Sequence, residues 1–430
     1  MPRHLTWGAA VLAAALCACG SDGIAPPATG TGGSSGGGGG GSGMTGGNTG
    51  GGNATGGAGP STGGSSGNTG GAGQPGTGGS SAPPPRPDCS NAPAPTPAPP
   101  STWANATGSL AGMKSDCGNL SKIAAVPCSR TLLAQIRNVG MFATEDGGKS
   151  WHQLGKGAGS VPLTNYTTAI VFDPKNPAVF WETDLFGPAS AMFRSRDAGN
   201  TFELLFKGSM AQLVSVDFSD PDRKTLVLGI HGSRRAVHKS SDGGLTWTNI
   251  GMTLPAETHN SESPIVIDAQ TYLLGACGYG DGVCGIYRTT DGGATWKSMT
   301  DAKIGHYGNP LWAADGTIYW PLLDTGGLAK STDRGLTWTK ISVDKQLMDV
   351  TPHELPDGSL ISLSTTNVVR SRDGGMTWQP IGPAVPFKLD ALRNDVVYVE
   401  PARTLFVRHA DCGQAVLSDA VMSIGFDHKN

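Results

Sequence analysis

The chain lacks a surplus of positive charge. Its 31 Lys and Arg residues are outnumbered by 34 Asp and Glu residues, which gives a formal net charge of -3. Nucleic-acid binders neutralise phosphates with a basic stripe, so this balance argues against that class. Beyond the N-terminus, no apolar run reaches the roughly 20 residues that a membrane-spanning helix needs. The Cys and His spacings typical of metal sites are also missing, and we expect neither a metal nor a cofactor.

Charged and large apolar side chains are scarce between residues 20 and 100. Residues 20–80 contain 29 of the 66 glycines, and nine prolines lie between residues 83 and 100. Burial of so few apolar side chains cannot offset the entropy lost on ordering. We therefore predict a disordered linker over residues 20–100, rich first in Gly, Ser and Thr and then in Pro. The folded part is then a single domain over residues 101–430.

Residues 1–19 read MPRHLTWGAAVLAAALCAC, a short polar start followed by an apolar segment too short to cross a bilayer. Leu16-Cys17-Ala18-Cys19 resembles the lipobox of bacterial lipoproteins. The resemblance implies a signal peptide over residues 1–19, lipidation of Cys19, and delivery to the outer membrane or cell surface. The alternative is an ordinary secretory signal cleaved near Gly20. Both interpretations predict an exported protein.

One octapeptide, typified by SSDGGLTW at residues 240–247, recurs six times at intervals of 40–51 residues. Its Asp can accept backbone hydrogen bonds and its Gly residues permit positive φ, which is the chemistry of a turn. An alternating apolar strand precedes each copy, and an aromatic residue follows the turn, so each copy predicts a hairpin. The Asp residues of the six copies are Asp146, Asp197, Asp242, Asp291, Asp333 and Asp373.

These octapeptides resemble the Asp-box, or BNR, repeats of sialidases and related β-propellers. The resemblance implies an all-β single β-propeller in which the six Asp residues are structural. A repeat of about 45 residues predicts seven blades for the folded part, and six blades with a C-terminal appendage are the alternative. Ser101-Thr-Trp103 copies the end of a repeat, so we predict that it supplies the outer strand of the last blade and closes the ring.

Six cysteines follow the signal segment: Cys89, Cys117, Cys128, Cys277, Cys284 and Cys412. An even number in an exported protein indicates three disulfides. Cys277 and Cys284 flank a predicted hairpin and are expected to pair. The other four allow three connectivities, of which we favour Cys117–Cys128 with Cys89–Cys412.

A ligand site is expected on the face opposite the six turns, where loops join second to third strands and one blade to the next. Carboxylates, His, Arg and Tyr in these loops suit a carbohydrate or an acidic ligand. The alternative for each residue is a solvated loop tip. The candidate ligand-binding residues are Arg137, Glu182, His231, Arg234, Arg235, His259, Asp281, His306, Tyr307 and Asp324.

Asp184 is the one catalytic candidate. The segment from Ile170 to Ser195 resembles a first-blade segment of xyloglucanase-type glycoside hydrolases, in which the matching Asp is one of two catalytic carboxylates. The resemblance implies a catalytic Asp184, but those enzymes take their other carboxylate from a second propeller. The sialidase pattern of three Arg residues with a Tyr–Glu pair is not met.

The sequence as a whole favours a lipid-anchored β-propeller without enzymatic activity that binds a glycan or a protein at the cell envelope. We expect a monomer that contacts the membrane through its lipid anchor only and does not bind nucleic acid. One alternative is a glycoside hydrolase, either sialidase-like or xyloglucanase-like. Another is a purely structural envelope protein.

Overall fold

A computed structural model describes most of the chain from residue 82 onward. Apart from one 3-10 turn at Gly108–Leu110, the regular structure of this part consists of β-strands. None of its helices is long and apolar enough to cross a bilayer. The described ranges are 82–96, 101–114, 120–163, 166–185, 191–208, 210–277, 283–302, 309–322, 327–342, 347, 350–387, 389, 394–409 and 417–427.

The first thirteen strands cover the N-terminal half of the folded part. They are β1 (Ala104–Asn105), β2 (Leu120–Ala125), β3 (Leu132–Ile136), β4 (Gly140–Thr144), β5 (His152–Gln153), β6 (Tyr166–Phe172), β7 (Phe180–Leu185), β8 (Ala191–Ser195), β9 (Glu203–Lys207), β10 (Ala211–Val216), β11 (Leu226–Ile230), β12 (Val237–Ser240) and β13 (Thr248–Asn249).

The remaining strands continue the same alternation of apolar segments and turns. They are β14 (Asn260–Val266), β15 (Tyr272–Cys277), β16 (Gly285–Thr289), β17 (Lys297–Thr300), β18 (Leu311–Trp312), β19 (Ile318–Leu322), β20 (Gly327–Ser331), β21 (Thr339–Ser342), β22 (His353–Glu354), β23 (Leu360–Leu363), β24 (Val368–Ser371), β25 (Gln379–Pro380), β26 (Asp395–Val399), β27 (Thr404–Arg408) and β28 (Val421–Gly425).

The strands form antiparallel meanders of four, which we number as blades in chain order. Blades 1, 2, 5 and 6 are the sheets β2–β5, β6–β9, β18–β21 and β22–β25. Blade 3 (β10–β13) and blade 4 (β14–β17) merge into one eight-stranded sheet through a single pair, Ile230 with Ser261. Blade 7 contains β26–β28 and β1. The described strands thus form seven four-stranded blades.

Apolar side chains between consecutive blades hold the ring together. Leu133 of blade 1 packs with Phe180 of blade 2. One further cluster lies between each of the next five pairs of blades, from blades 2 and 3 to blades 6 and 7. The last cluster returns from blade 7 to blade 1, where Phe406 packs with Leu120. The chain is therefore a closed β-propeller, as the sequence predicted, an arrangement that leaves only short sheet edges.

The N-terminal segment closes the ring as predicted. Ala104 of β1 pairs with Ser423 of β28, so β1 is the outer strand of blade 7. Trp103 packs against the cluster between blades 6 and 7, and its indole N–H donates to the Pro383 carbonyl oxygen over 3.0 Å. Trp103 thus occupies the same kind of seam as the aromatic residues of the six octapeptides.

Each octapeptide is a turn between the third and outer strands of a blade. The Asp242 carboxylate accepts hydrogen bonds from Ser240 Oγ (2.7 Å), Thr246 N (2.9 Å) and Thr246 Oγ1 (2.5 Å). The bonds from Thr246 and Ser240 lower the pKa of Asp242 to about 2. The following Trp247 packs between blades 2 and 3. The carboxylate is thus bonded within its own turn. We call the side of the ring that carries these turns the turn face and the opposite side the site face.

A strap formed by residues 82–96 lies on the turn face, although the sequence placed these residues in a disordered linker. Thr96 N donates to the Pro401 carbonyl oxygen over 3.0 Å, and Arg130 donates to the Ala94 carbonyl oxygen over 3.0 Å. Both contacts are made by loops that join first to second strands. Composition alone could not reveal these bonds, because a Pro-rich segment carries no signal for its long-range partners.

The disulfide pattern agrees with the sequence in one case and differs in the other. Cys277 and Cys284 are bonded as expected. Cys89 of the strap is bonded to Cys128, so the favoured pairings Cys117–Cys128 and Cys89–Cys412 are wrong. The strap brings Cys89 to the loop after β2, a fold-back that the predicted linker did not include. Cys117 and Cys412 lie outside the described residues.

Candidate functional site

Two carboxyl groups of β7 lie toward the site face, close to the loop that leaves this strand for β8. Residues two apart on a strand share a face. Phe180, Glu182 and Asp184 therefore point to the same side of β7, and Phe180 packs in the seam with blade 1. Thr183 points the other way and donates to the Gln212 carbonyl oxygen in blade 3. The two acids thus form a polar layer above the apolar seam between blades 1 and 2.

Glu182 is held in this layer with little stabilisation of its charge. Each of the two acids is only 1% exposed. Oε1 of Glu182 accepts a 2.5 Å hydrogen bond from Thr167 Oγ1, and its Oε2 has no hydrogen-bond partner among the described residues. Burial raises the pKa of Glu182 well above its usual value, and the charge of Asp184 adds to this effect, whereas the Thr167 bond opposes it. Glu182 is therefore protonated well above the pH at which an ordinary Glu ionises.

Asp184 is anchored by the backbone of its own blade. Its Oδ1 accepts a 2.7 Å hydrogen bond from the Ala191 N–H at the start of β8. Enzymes that use acid–base chemistry often place two carboxyl groups side by side and keep one of them protonated. Some pairs of this kind are purely structural. Sequence analysis had placed both acids in a loop. They belong to a buried strand instead, because their hydrophobic neighbours Phe180, Trp181 and Leu185 anchor it on both faces.

Arg137 lies at the same seam, from the side of blade 1. It follows β3 directly, and its guanidinium lies 5.9 Å from the centre of the Tyr166 ring at the start of β6. An Arg over an aromatic face is a favourable cation–π contact. Three predicted residues, Arg137, Glu182 and Asp184, thus meet at the seam between blades 1 and 2.

A second polar pair spans blades 3 and 4. His231 Nδ1 and Glu262 Oε1 are 2.5 Å apart, and the Glu262 side chain is only 2% exposed. Asn260 reinforces this junction by accepting the Gly232 N–H over 2.8 Å. His231, predicted as a loop residue, is therefore bonded to the neighbouring blade.

The remaining predicted residues are less informative. Arg234 is exposed, and Arg235 is half-buried with its backbone N–H bonded to the Thr258 carbonyl oxygen over 3.1 Å. His259 is half-buried, and its backbone N–H donates to the Cys277 carbonyl oxygen. Four further predicted residues lie outside the described part of the chain, namely Asp281, His306, Tyr307 and Asp324.

Sequence analysis missed a charged group at the seam between blades 7 and 1. Asp395 accepts a 3.3 Å hydrogen bond from Lys122 Nζ, and its other oxygen lies 3.1 Å from Arg408 Nε. Burial alone would raise the pKa of Asp395, but the two cations outweigh it and lower this pKa. Asp395 and Arg408 face each other on the neighbouring strands β26 and β27, whereas Lys122 lies 273 positions before Asp395, so no local sequence pattern connects it to them.

The axis of the ring is a cavity of about 310 Å³ lined by the first strands of the blades. Ile123, Ala169, Leu213 and Val396 form part of its apolar wall. Its polar side chains include Lys122, Asn309, His353 and Asp395.

Comparison with known proteins finds sequence similarity to two xyloglucanases. No protein-family model matches the chain. The xyloglucanase Xgh74A of Acetivibrio thermocellus is 25% identical over 279 residues, which cover 50% of this chain and 32% of that enzyme. A xyloglucanase of a Paenibacillus species is 27% identical over 298 residues, covering 51% of this chain and 28% of the enzyme. The chain thus spans about a third of the length of the curated relatives that it matches.

A solved structure shows the same fold. The GH74 enzyme of Niastella koreensis has a TM-score of 0.52 and 18% identity, and the match covers 75% of this chain and 53% of that enzyme. At this identity the likeness concerns the fold alone. The curated relatives nevertheless overturn the expectation of a binding protein without enzymatic activity, because they are glycoside hydrolases. The segment from Ile170 to Ser195, which resembles a segment of xyloglucanase-type glycoside hydrolases, had already indicated the class of these relatives.

Proposed function

We propose that the protein is a glycoside hydrolase that cleaves the backbone of xyloglucan or a related β-glucan. The observation that carries the proposal is the match of half the chain to two xyloglucanases. The polar layer between blades 1 and 2 supports it, because a pair of carboxyl groups is the machinery of most glycosidases.

In this proposal Glu182 and Asp184 have different catalytic roles. Glu182, whose pKa burial raises, is the acid that protonates the glycosidic oxygen, and Asp184 is the base that activates water. Residues two apart on a strand are separated by about 6.6 Å along the backbone. We propose an inverting mechanism for this acid and base, which requires their carboxyl groups to lie about 6.5–9.5 Å apart during the reaction. One strand then supplies both groups, without a second propeller.

Access to the pair sets a requirement on this mechanism. Both side chains are only 1% exposed in the free protein, so substrate binding must expose them. Carbodiimide labelling of carboxyl groups, followed by peptide mass spectrometry, reports this exposure directly. We expect xyloglucan oligosaccharides that cannot be cleaved further to change the labelling of the β7 peptide. Unchanged labelling of that peptide would place the chemistry elsewhere.

The direct test is release of reducing sugar by the purified full chain. Xyloglucan, mixed-linkage β-glucan and xylan are the substrates, and we expect activity on the first. Asp184→Asn should lower kcat by at least about 100-fold, the usual contribution of acid–base groups. Asp222→Asn is the matched control, because Asp222 is 62% exposed and pairs only with Lys224 among the described residues. Absence of activity on every glucan, or an active Asp184→Asn variant, contradicts the proposal.

The raised pKa of Glu182 gives a second test. An acid must be protonated, so hydrolysis is full below that pKa and falls as the pH rises through it. Glu182→Gln keeps the shape of the side chain but removes the proton donor. We expect it to lose activity and the alkaline limb of the pH profile while its melting temperature stays close to that of the wild type. An unchanged alkaline limb would show that Glu182 is not the acid.

We further propose that the protein is exported and anchored by a lipid on Cys19, and that its six turns are of the Asp-box type. The two disulfides support export, because such bonds persist in oxidising compartments. Mass spectrometry of the mature N-terminus tests the anchor. Cys19→Ser should release the protein into the soluble fraction, and a wild-type N-terminus without acyl chains contradicts the proposal.

A further inference from the structure

A cluster of two cations and one carboxylate lies at the wall of the axial cavity. The cavity's described charged groups are Lys122 and Asp395, and Arg408 lies directly behind Asp395. Asp395 is ionised, accepts a hydrogen bond from Lys122 and forms an ion pair with Arg408. Arg408 is further occupied by the Leu120 carbonyl oxygen, which its Nη1 contacts over 2.5 Å. Two cations therefore face one carboxylate, and Asp395 can neutralise only one of the two positive charges.

Lys122 is the group that could meet such an anion. An ammonium group has three N–H donors, and the described residues take only one of them, through the 3.3 Å bond to Asp395. The Lys122 side chain is 20% exposed and borders the cavity, so its other donors face the axial space.

The cavity also offers groups that suit hydroxyls. Asn309 Oδ1 is buried, and no described residue donates a hydrogen bond to it. Burial lowers the pKa of His353 to about 4, so its ring is neutral at neutral pH and can both donate and accept. The inner strands β2, β6, β22 and β26 are edge strands of their sheets, so their axial backbone groups have no strand partner. A buried acceptor such as Asn309 Oδ1 requires an O–H or N–H donor, and a sugar offers several hydroxyl donors where a phosphate dianion offers only one.

We propose that this axial cavity binds a carboxylated monosaccharide, with its carboxylate on Lys122 and its hydroxyls on Asn309, His353 and the free backbone edges. A volume of about 310 Å³ lies at the lower end of the range for ligand pockets, about 300–1,000 Å³, and suits one sugar ring. This site is separate from the polar layer between blades 1 and 2 and does not depend on hydrolysis there.

Calorimetric titration of the full chain at low salt tests the proposal, with glucuronate as the probe and glucose and inorganic phosphate as comparisons. We expect glucuronate to bind at least tenfold more tightly than glucose and phosphate. Lys122→Met should weaken glucuronate binding at least tenfold, and Lys122→Arg should retain most of it. Lys149→Met, which removes an exposed Lys on the turn face, is the matched control and should change nothing.

A second variant separates ligand binding from folding. Lys122→Met also removes the bond to Asp395, so circular dichroism must show an intact fold. Asn309→Asp leaves that bond in place and adds a negative charge to the cavity, and we expect it to weaken glucuronate binding as well. Equal binding of glucose and glucuronate, or full binding by both variants, overturns the proposal. Tighter binding of phosphate than of glucuronate overturns the assignment of a sugar acid.

Discussion

The two disulfides should differ in their contribution to stability, because they close loops of very different length. Cys89–Cys128 spans 39 residues and Cys277–Cys284 spans 7. Chain-entropy arithmetic gives about 4 kcal/mol for the longer loop and about 2.4 kcal/mol for the shorter one at 25 °C. The strap also keeps its non-covalent bonds, such as Thr96 to Pro401, when the disulfide is removed. The loss should therefore come from the unfolded chain rather than from a changed native structure.

Paired Cys→Ser variants of each bridge test this difference without leaving a free thiol at either bridge. Urea unfolding followed by tryptophan fluorescence measures the free energy of unfolding, and the chain has 10 Trp residues to report it. We expect the Cys89→Ser/Cys128→Ser variant to be less stable than the Cys277→Ser/Cys284→Ser variant by about 1.5 kcal/mol. The reasoning is refuted if the short bridge costs as much as the long one or more.

Three further variants probe the seams and turns. Arg223→Met removes the partner of the buried Asp173 carboxylate and should cost about 3 kcal/mol at pH 7 in urea unfolding. Burial opposes ionisation of Asp173, but the bonds from Arg223 lower its pKa in the wild type. The stability difference between wild type and variant should therefore be full near neutral pH and should narrow as the pH falls through 3.8. Gly229→Ala places a Cβ 2.1 Å from the Glu262 carbonyl oxygen, and thermal melting should show a loss of about 1–3 kcal/mol. Asp373→Ala removes four hydrogen bonds from one turn and should cost about 1–2 kcal/mol while hydrolysis is unchanged. A stable Arg223→Met or Gly229→Ala variant, or an inactive Asp373→Ala variant, would contradict these assignments.

The repeated turns made the fold predictable from the sequence. Each turn is a local structure whose Asp, Gly and Thr residues lie within eight positions, so a single short segment is enough to predict it. The closing strand was predictable for the same reason, because Trp103 repeats the aromatic end of that segment. Seven apolar seams then followed from the alternation of apolar residues along each strand.

The site could be predicted only in part, because its chemistry depends on burial and on distant contacts. Asp184 is a candidate because of a resemblance, and the raised pKa of Glu182 arises from a seam that forms only when blade 1 packs on blade 2. The contact of Lys122 with Asp395 joins residues 273 positions apart. The bond of Cys89 to Cys128 likewise depends on a fold-back that composition does not encode.

The strap and the proposed catalytic pair lie on opposite faces of the ring. Its contacts with Arg130 and Pro401 lie on the turn face, whereas Glu182 and Asp184 lie toward the site face. The chain therefore joins the ring on the side opposite the proposed catalytic pair, which leaves that side unobstructed by the strap.

The most direct test of the central claim is mass spectrometry of xyloglucan incubated with the full chain and with Asp184→Asn. Hydrolysis predicts that the wild type converts the polymer into oligosaccharides, each one water heavier than the corresponding internal segment, and that the variant leaves the polymer intact. Polymer that stays intact with the wild type, or fragments that form equally with both proteins, would contradict the assignment of this propeller as a glycoside hydrolase that uses Asp184.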